Sequence, residues 1–391
     1  MCSEFRRNKD TYIDDRKIHK TKLQKGTTMK KGEKELFLKL CSFKGTDLKP
    51  EDLKNATANV LGMLFFNRMH GVAYGVLKEH GILGKVNREF RNPICGAWEQ
   101  NKEKNESFFA CVDRVNALLS SCGAPYAMLK GAYLCGIYPE GYRTSNDIDI
   151  LAHPKDVTKI GEALLDDGFL QGNIRNGEFV PATRREIIES KMTRGETVPY
   201  IKEVNLPQMR FLEVDINFSL DYKNSITDVL SVMLEHTADV DLGKYRIRTL
   251  NKEDFFIHLC AHLYKEATTL PWVEMGRDMS LYKYCDIYLL LSEMTDKKTE
   301  EMLARAKVYG MEKICAFAIL QTLSLFGTKN SVAKGLCEKI TADEPEILHK
   351  VISPKEKKEY EYKDHDVAKR FFCDNRTALL KERNKNNDKE T

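Results

Sequence analysis

The chain has 391 residues, of which 42% are hydrophobic, so it is long and apolar enough to build one or two folded cores. Its 62 Lys and Arg residues nearly balance its 58 Asp and Glu residues, and a net charge of +4 excludes any argument for nucleic-acid binding from charge alone. No stretch approaches the ~20 apolar residues of a membrane helix, and the N-terminus lacks the apolar core of a signal peptide, so we expect no membrane partner.

Eleven cysteines are spread from Cys2 to Cys373 without a Cys-x-x-Cys pair, and most lie among apolar residues. An odd number without regular spacing argues against a disulfide scaffold and against a structural zinc site. We therefore expect buried thiols in a reducing cytoplasm.

The N-terminal third is predicted to be helical after a basic start. Residues 1–33 are charged and lack apolar periodicity, which predicts a flexible extension. Apolar residues then recur at helical spacing over 35–80, and again over 108–120 after a polar stretch at 92–106. These patterns predict an N-terminal helical region that covers residues 34–122.

The next segment, residues 123–250, has the pattern of a catalytic core. A short apolar run at 126–129 predicts a buried strand, residues 133–138 a short helix and residues 148–152 a second strand. An amphipathic helix is predicted from Pro154 to Gly168.

Residues 211–220 carry the clearest strand pattern in the chain, because apolar and polar residues alternate strictly. The apolar face comprises Leu212, Val214, Ile216, Phe218 and Leu220, and the polar face includes Glu213 and Asp215. Residues 171–207, which precede this strand, are charged and contain glycine and proline, so they predict a long surface excursion with a helix at 184–191.

Helical patterns return over residues 251–350, which predicts an all-α region that binds substrate. Residues 351–391 read as a charged tail, mobile apart from residues 367–380. The predicted fold class is therefore α+β, with a small mixed sheet flanked by helices, N-terminal helices and an all-α C-terminal region.

The motif with the clearest chemistry is Asp147-Ile148-Asp149, which begins the second predicted strand. Side chains alternate along a strand, so the two aspartates project from the same face, roughly 6.6 to 7 Å apart along the backbone. Two such carboxylates repel each other, and a bridging divalent cation would let both stay ionised at neutral pH. The alternative is a solvated strand whose carboxylates face water.

A third carboxylate is needed to hold two divalent cations, and the strand at 211–220 offers two candidates. Adjacent strands lie ~4.8 Å apart, so Asp215 could face Asp147 and Asp149 directly. Glu213 has the same orientation and is the alternative to Asp215. Two cations in this position could activate a hydroxyl and stabilise a leaving pyrophosphate.

Residues Lys130, Gly131 and Ala132 lie where a helix is predicted to start just after a strand. Backbone N–H groups at such a helix start favour phosphate, and glycine lets the phosphate approach closely. Lys130 and Arg143 could neutralise phosphate charge, although each could instead be a surface charge or the partner of a nearby acid. His258 and His262 share a helix face, but no general base lies between them, so we expect a packing role.

The stretch from Leu129 to Ala132, then Arg143 and the segment from Asp147 to Leu151, with Asp215 later, resembles the bacterial nucleotidyltransferase-like proteins of the polymerase β superfamily. The segments at 256–262 and 284–291 also resemble the helical region of that family. The resemblance implies metal-dependent transfer of a nucleoside monophosphate (NMP) from a nucleoside triphosphate (NTP) to a hydroxyl. It implies that Asp147, Asp149 and Asp215 are catalytic carboxylates on Mg²⁺ or Mn²⁺ and that Gly131 is the glycine of a turn facing phosphate. We expect Lys130, Ala132, Arg143 and Ser145 to lie around the nucleotide as well.

The acceptor hydroxyl stays open, since a small molecule, an RNA and a protein all fit the sequence. One alternative function is a non-catalytic module of the same fold that binds a nucleotide or a partner protein. Another is a toxin-like or antitoxin-like protein that modifies RNA, which the basic N-terminus supports weakly, so a nucleic-acid partner is open but not favoured.

Overall fold

The computed structural model describes residues 29–193, 195–220, 228–327 and 330–383. The predicted basic extension therefore lies outside the described residues as far as residue 28. Among the described residues, helices and a mixed β-sheet dominate, which confirms the α+β prediction. In the same residues, no helix combines the length and apolar character needed to cross a membrane.

Among the described residues, four α-helices precede the first strand and confirm the helical prediction for the N-terminal region. They are α1 (Lys31–Cys41), α2 (Ala58–Phe66), α3 (His70–Glu79) and α4 (Arg88–Cys122). The predicted interruption at 92–106 is wrong, because α4 is one continuous helix of 35 residues. Pro93 lies near the start of α4, where it removes a single backbone hydrogen bond. The polar residues that follow belong to a helix face that contacts a loop of the site.

An eight-stranded sheet forms the centre of the molecule, in the order β4-β3-β5-β6-β2-β1-β8-β7. Strand β2 lies between β1, to which it is antiparallel, and β6, to which it is parallel. The strands are β1 (Tyr126–Leu129), β2 (Asp147–Ala152), β3 (Leu170–Arg175), β4 (Glu178–Pro181), β5 (Tyr200–Leu206), β6 (Met209–Asn217), β7 (Thr237–Asp241) and β8 (Arg246–Leu250).

The described residues between these strands along the chain form four α-helices. They are α5 (Gly131–Ile137), α6 (Val157–Asp166), α7 (Arg184–Thr193) and α8 (Val229–Glu235). All four residues of β1 are buried, and so are the five residues of β2 that follow Asp147. Asp147 is the half-buried residue at the start of β2.

The predicted surface excursion at 171–207 is only partly correct. It contains the predicted helix, α7, but it also contributes strands β3, β4 and β5, which extend the sheet beyond β6. The hairpin of β7 and β8 was likewise not predicted. These strands are short, and β3 and β4 are mostly exposed or half-buried, so their apolar alternation is weak.

In the described part of the C-terminal region, six α-helices confirm the all-α prediction for most of residues 251–350. These are α9 (Lys252–Ala267), α10 (Leu270–Glu274), α11 (Leu281–Glu293), α12 (Asp296–Val308), α13 (Glu312–Phe326) and α14 (Ser331–Ile340).

The prediction of a charged, mobile tail is wrong for most of residues 350–383. A second sheet, in which neighbouring strands are antiparallel, is formed by β9 (Lys350–Ser353), β10 (Lys358–Tyr362) and β11 (Leu380–Glu382). Helix α15 (Val367–Phe371) lies between β10 and β11 along the chain. Val351 and Tyr362 pack with Val273 of α10 in a small apolar cluster. Charged and apolar residues alternate in these strands, so an interpretation based on charge alone does not predict them.

Candidate active site

The two predicted acidic strands lie side by side. Strands β2 and β6 are parallel neighbours, and their register sets Asp149 directly opposite Asp215 and Asp147 directly opposite Glu213. Because side chains alternate along each strand, all four carboxylates project from one face of the sheet. We call these four side chains the acidic face. Both candidates for the third carboxylate therefore belong to it, and Asp215 is the one opposite the buried Asp149.

The carboxylates of the acidic face differ in their surroundings. Burial tends to raise the pKa of Asp147, but a hydrogen bond from Ser145 and the charges of Lys130, Arg68 and Arg143 hold that pKa below its ordinary value. The Ser145 hydroxyl donates to Oδ1 of Asp147 over 2.7 Å. Asp147 is therefore ionised at neutral pH.

Asp215 behaves in the opposite way. Burial, followed by the negative charges of Asp149, Asp147 and Glu213, raises the pKa of Asp215 well above its ordinary value. Glu196, which pairs with Asn217 in an isolated β-bridge, adds further negative charge. The acidic face thus holds more negative charge than the neighbouring cations neutralise, and the resulting repulsion contributes to the raised pKa of Asp215.

Lys130 contacts the acidic face from the junction of β1 and α5. Its ammonium Nζ lies 2.8 Å from Oδ1 of Asp149, and Nδ2 of Asn217 lies 3.5 Å from the same oxygen. The backbone of Lys130 has a φ of 44°, which is uncommon for a residue with a Cβ atom. Strained backbone of this kind is found preferentially at functional sites, because the surrounding structure must hold it there.

The donor chemistry of the acidic face fits a hard divalent cation. Carboxylate oxygens are the ligands that Mg²⁺ and Mn²⁺ prefer, and a cation would relieve the repulsion felt by Asp215. Within the described ranges, however, no three His, Cys, Asp or Glu side chains are already grouped in a metal-binding arrangement. The strand register and the ligand type therefore fit a cation, while the ammonium of Lys130 supplies positive charge beside Asp149.

Gly131 follows Lys130, and because it has no side chain it leaves space that Ser145 fills. A Cβ atom at position 131 would lie 2.3 Å from the hydroxyl oxygen of Ser145, which is too close for both atoms. Ser145 in turn holds Asp147. Glycine at this position therefore allows Ser145 to orient a carboxylate of the acidic face, a contact that supports rather than forms a metal site.

We expect the Gly131→Ala variant to bind divalent cations ~10-fold more weakly than the wild type, because the added methyl displaces Ser145 from Asp147. Cation titration monitored by thermal shift would measure this change. Gly84→Ala is a matched control, since a Cβ atom there meets nothing within 4 Å. Equal cation affinity in Gly131→Ala and the wild type would show that Ser145 does not orient Asp147.

The guanidinium of Arg143 is paired with a carboxylate of this chain, whereas phosphate binding would pair it with the nucleotide. Its Nε and Nη2 atoms lie 3.2 and 3.4 Å from the two carboxylate oxygens of Asp286 on α11, and Tyr138 donates a hydrogen bond to the same carboxylate. Arg143 also donates to the backbone carbonyl of Thr144. The structure thus pairs Arg143 with an acid, which is one of the roles that the sequence left open. A contact of Arg143 with the nucleotide remains a prediction.

The pair of Arg143 and Asp286 ties the loop before β2 to the C-terminal helices. Both side chains are largely buried, with exposed fractions of 10% and 5%. Burial raises the pKa of Asp286, and the charge and hydrogen bonds of Arg143 oppose that rise. Asp286 was not identified as a site residue from the sequence.

We expect Asp286→Ala to lower the free energy of unfolding by about 3 to 5 kcal/mol, because it leaves the buried guanidinium of Arg143 without its carboxylate. Urea denaturation monitored by circular dichroism would measure the loss. Glu301→Ala, which removes an exposed acid paired with Lys298, is the control and should leave stability close to that of the wild type. Equal losses in the two variants would contradict the structural role of the buried pair.

Helix α4 holds the same loop from the other side. The indole of Trp98 donates to the carbonyl of Glu140, and the amides of Asn101 and Asn105 donate to the carbonyls of Gly141 and Arg143, all over 2.9 to 3.0 Å. Trp98, Asn101 and Asn105 recur at the spacing of one helix face. The polar stretch that was interpreted as a break in the helix is therefore the surface that fixes the entry to β2.

The two histidines lie away from the acidic strands, on α9. His258 is buried, and Nε2 of His262 lies 3.4 Å from Glu266 on the same helix. Glu266 also contacts Lys283 of α11. These contacts agree with the expected packing role for the pair.

Comparison with known proteins gives a family but little further detail. A family model described as an uncharacterised nucleotidyltransferase matches residues 55–327, which span α2 to α13 and include every strand of the central sheet. Among solved structures, similarity is found to an antigenic nucleotidyltransferase-like protein from Paracoccidioides brasiliensis, with 11% sequence identity and a TM-score of 0.33. The similarity covers 62% of this chain and 89% of that chain. A comparison with curated proteins finds no match.

Proposed function

The chain belongs to the family of uncharacterised nucleotidyltransferases that its residues 55–327 match, and on this premise we propose that it transfers NMP from an NTP to an acceptor hydroxyl with release of pyrophosphate. The observation that carries the proposal is the register of β2 and β6, which sets Asp149 opposite Asp215 and leaves Asp147 on the same face. A solvated surface strand, the alternative for these aspartates, does not account for the burial of Asp149.

In the proposed reaction, the oxygen of the acceptor hydroxyl forms a bond to the α-phosphorus of the NTP, and the bond between that phosphorus and the oxygen bridging to the β-phosphate breaks. Pyrophosphate leaves with the electron pair of the broken bond. The hydroxyl proton must pass to a base. Asp147, Asp149 and Asp215 would hold the divalent cations, which supply charge stabilisation for the α-phosphate and the leaving pyrophosphate when bound.

Asp215 is the proposed base for the hydroxyl proton. Burial and the neighbouring carboxylates raise its pKa in the absence of a cation, which supports this role because a general base near neutral pH needs an increased affinity for a proton. Asp147, whose pKa is lowered, is the better permanent anion. Asp215 would thus both hold a cation and accept the proton, whereas Asp147 would serve only as a cation ligand.

The backbone around Gly131 and Ala132, with the side chains of Lys130, Arg143 and Ser145, is proposed to line the nucleotide. Lys130 and Ser145 support this assignment because each already contacts a carboxylate of the acidic face. Arg143 would act from its position beside Asp286, next to the aromatic ring of Tyr282.

The deciding experiment is incubation of the protein with each α-labelled NTP, Mg²⁺ or Mn²⁺, and a cell extract separated into RNA, protein and small-molecule fractions. Label transferred to one fraction would identify the acceptor class. Thermal stabilisation by NTP only in the presence of a divalent cation would support the site independently of the acceptor. A protein that binds NTP without transferring label to any fraction would instead be a nucleotide-binding module.

A further inference from the structure

The ring of Tyr282, at the start of α11, lies among three cationic side chains. The guanidinium carbons of Arg143 and Arg68 lie 4.9 and 5.3 Å from the centre of this ring, and Nζ of Lys283 lies 5.7 Å from it. Two of the three cations have acid partners, because Arg143 pairs with Asp286 and Lys283 with Glu266.

Arg68 differs from its two neighbours. It is exposed, and across the described ranges no carboxylate lies within ion-pair distance of its guanidinium. The guanidinium lies over the ring of Tyr282. The guanidinium is thus kept next to an aromatic ring without the anion that would normally balance it.

The backbone at Arg68 strengthens the case for a role of its side chain. Arg68 follows α2 with a φ of 56°, the left-handed conformation that glycine adopts most readily after a helix. Its N–H donates to the carbonyl of Phe65 and that of Met69 donates to the carbonyl of Leu64, so the turn is held by backbone atoms. The turn itself does not need an arginine.

The position of Arg68 also links it to the acidic face. Although it comes from the N-terminal helices, it lies against the same ring of Tyr282 as Arg143. Arg143 belongs to the loop that leads into β2, shortly before Asp147. Arg68 and Tyr282 therefore lie beside the loop that enters the acidic face.

We propose that Arg68 binds the terminal phosphates of the NTP, with its guanidinium positioned by the ring of Tyr282. This inference rests on the proposed transferase function. A triphosphate whose α-phosphorus lies at the acidic face must extend its β- and γ-phosphates beyond it, and those charges need cations. Lys130, Arg143 and Lys283 are already paired with acids. The guanidinium of Arg68 can instead bind phosphate oxygens through two parallel hydrogen bonds.

The test is equilibrium binding of each NTP and each NMP, with Mg²⁺, to the wild type and to Arg68→Gly. Glycine suits the left-handed backbone, so the variant should melt at or above the wild-type temperature. We expect it to bind the cognate NTP roughly 10- to 100-fold more weakly, as expected for the loss of a hydrogen bond to a charged group, and to bind NMP as the wild type does.

Lys357→Gly is the matched control. Lys357 is also an exposed cation at positive φ, 57°, but it lies in the β9–β10 turn of the C-terminal sheet. The Lys357→Gly substitution removes the same charge at the same type of backbone position and should leave NTP affinity unchanged.

The failures of the two proposals are distinguishable. Wild-type NTP affinity retained in Arg68→Gly would overturn the role of Arg68 and leave the transferase proposal intact. Equal weakening of NTP and NMP would also overturn it, because the effect would not depend on the terminal phosphates. A wild-type protein that binds none of the four NTPs would overturn the transferase proposal and this inference with it.

Discussion

Replacement of Asp147 and Asp149 by asparagine is expected to reduce NMP transfer to below about 1% of the wild-type rate. Loss of groups that only support a metal ligand commonly costs 10- to 100-fold, and this double variant removes two proposed ligands themselves. Asparagine keeps the size of each side chain but removes its charge and one of its two acceptor oxygens. The measurement is transfer of α-labelled NMP to the acceptor fraction with saturating Mg²⁺ and NTP.

The chain provides its own control in Asp239-Val240-Asp241 of β7, a second pair of aspartates two residues apart on a strand. These two carboxylates are exposed and pair with Arg248 and Arg246. The Asp239→Asn, Asp241→Asn double variant should therefore retain full transfer. Wild-type activity in the Asp147, Asp149 double variant would disprove the assigned chemistry.

The comparison of these two aspartate pairs shows what the sequence could and could not predict. Spacing alone does not distinguish them, because both place two carboxylates on one face of a strand. What identified Asp147 and Asp149 was their context, a strand and a glycine turn before them and a second acidic strand after them. The alternation in β6 was strong enough to predict that Asp215 faces the pair, and the register agrees with this prediction.

Contacts between distant parts of the chain were beyond the reach of sequence patterns. Asp286 lies 143 residues after Arg143, and its helix shows only an apolar pattern in which one acid looks incidental. The role of Arg68 depends in the same way on the docking of an N-terminal turn beside α11. Local periodicity predicts elements, whereas pairing across elements depends on how those elements pack.

The polar residues of α4 illustrate a different difficulty. A helix is normally recognised by an apolar stripe, and residues 92–106 lack one because their inward face binds carbonyl groups rather than apolar side chains. The spacing of Trp98, Asn101 and Asn105 is nevertheless that of a helix face, and all three donate to the loop before β2. A search for polar as well as apolar periodicity would have found this helix.

Asp215→Asn should abolish transfer and at the same time stabilise the metal-free protein. No hydrogen bond to the Asp215 carboxylate is found in the described parts of the chain, while burial and the charges of Asp149 and Asp147 raise its pKa. Removal of this charge should raise the free energy of unfolding at pH 8, since burial and repulsion disfavour the ionised carboxylate in the folded protein. Denaturation with urea in the presence of EDTA would measure the gain.

The dependence of this gain on pH follows from the direction of the pKa shift. In the unfolded chain Asp215 titrates near pH 4, whereas in the folded protein it keeps its proton to higher pH. The stability that the protonated carboxyl contributes is complete below the unfolded pKa and is lost as the pH rises through the folded pKa. The advantage of Asp215→Asn should therefore be small near pH 4 and largest above the folded pKa.

Divalent cations should reverse this advantage. A cation that binds the folded wild type raises its stability in proportion to the logarithm of the cation concentration, and the variant lacks a ligand for that cation. Asp241→Asn, which removes an exposed carboxylate, should show neither effect. If Asp215→Asn were less stable than the wild type at pH 8 without metal, the acidic face would not be a site of repulsion. Its three aspartates would then require no cation, and the argument for a metal-dependent transferase would lose its physical basis.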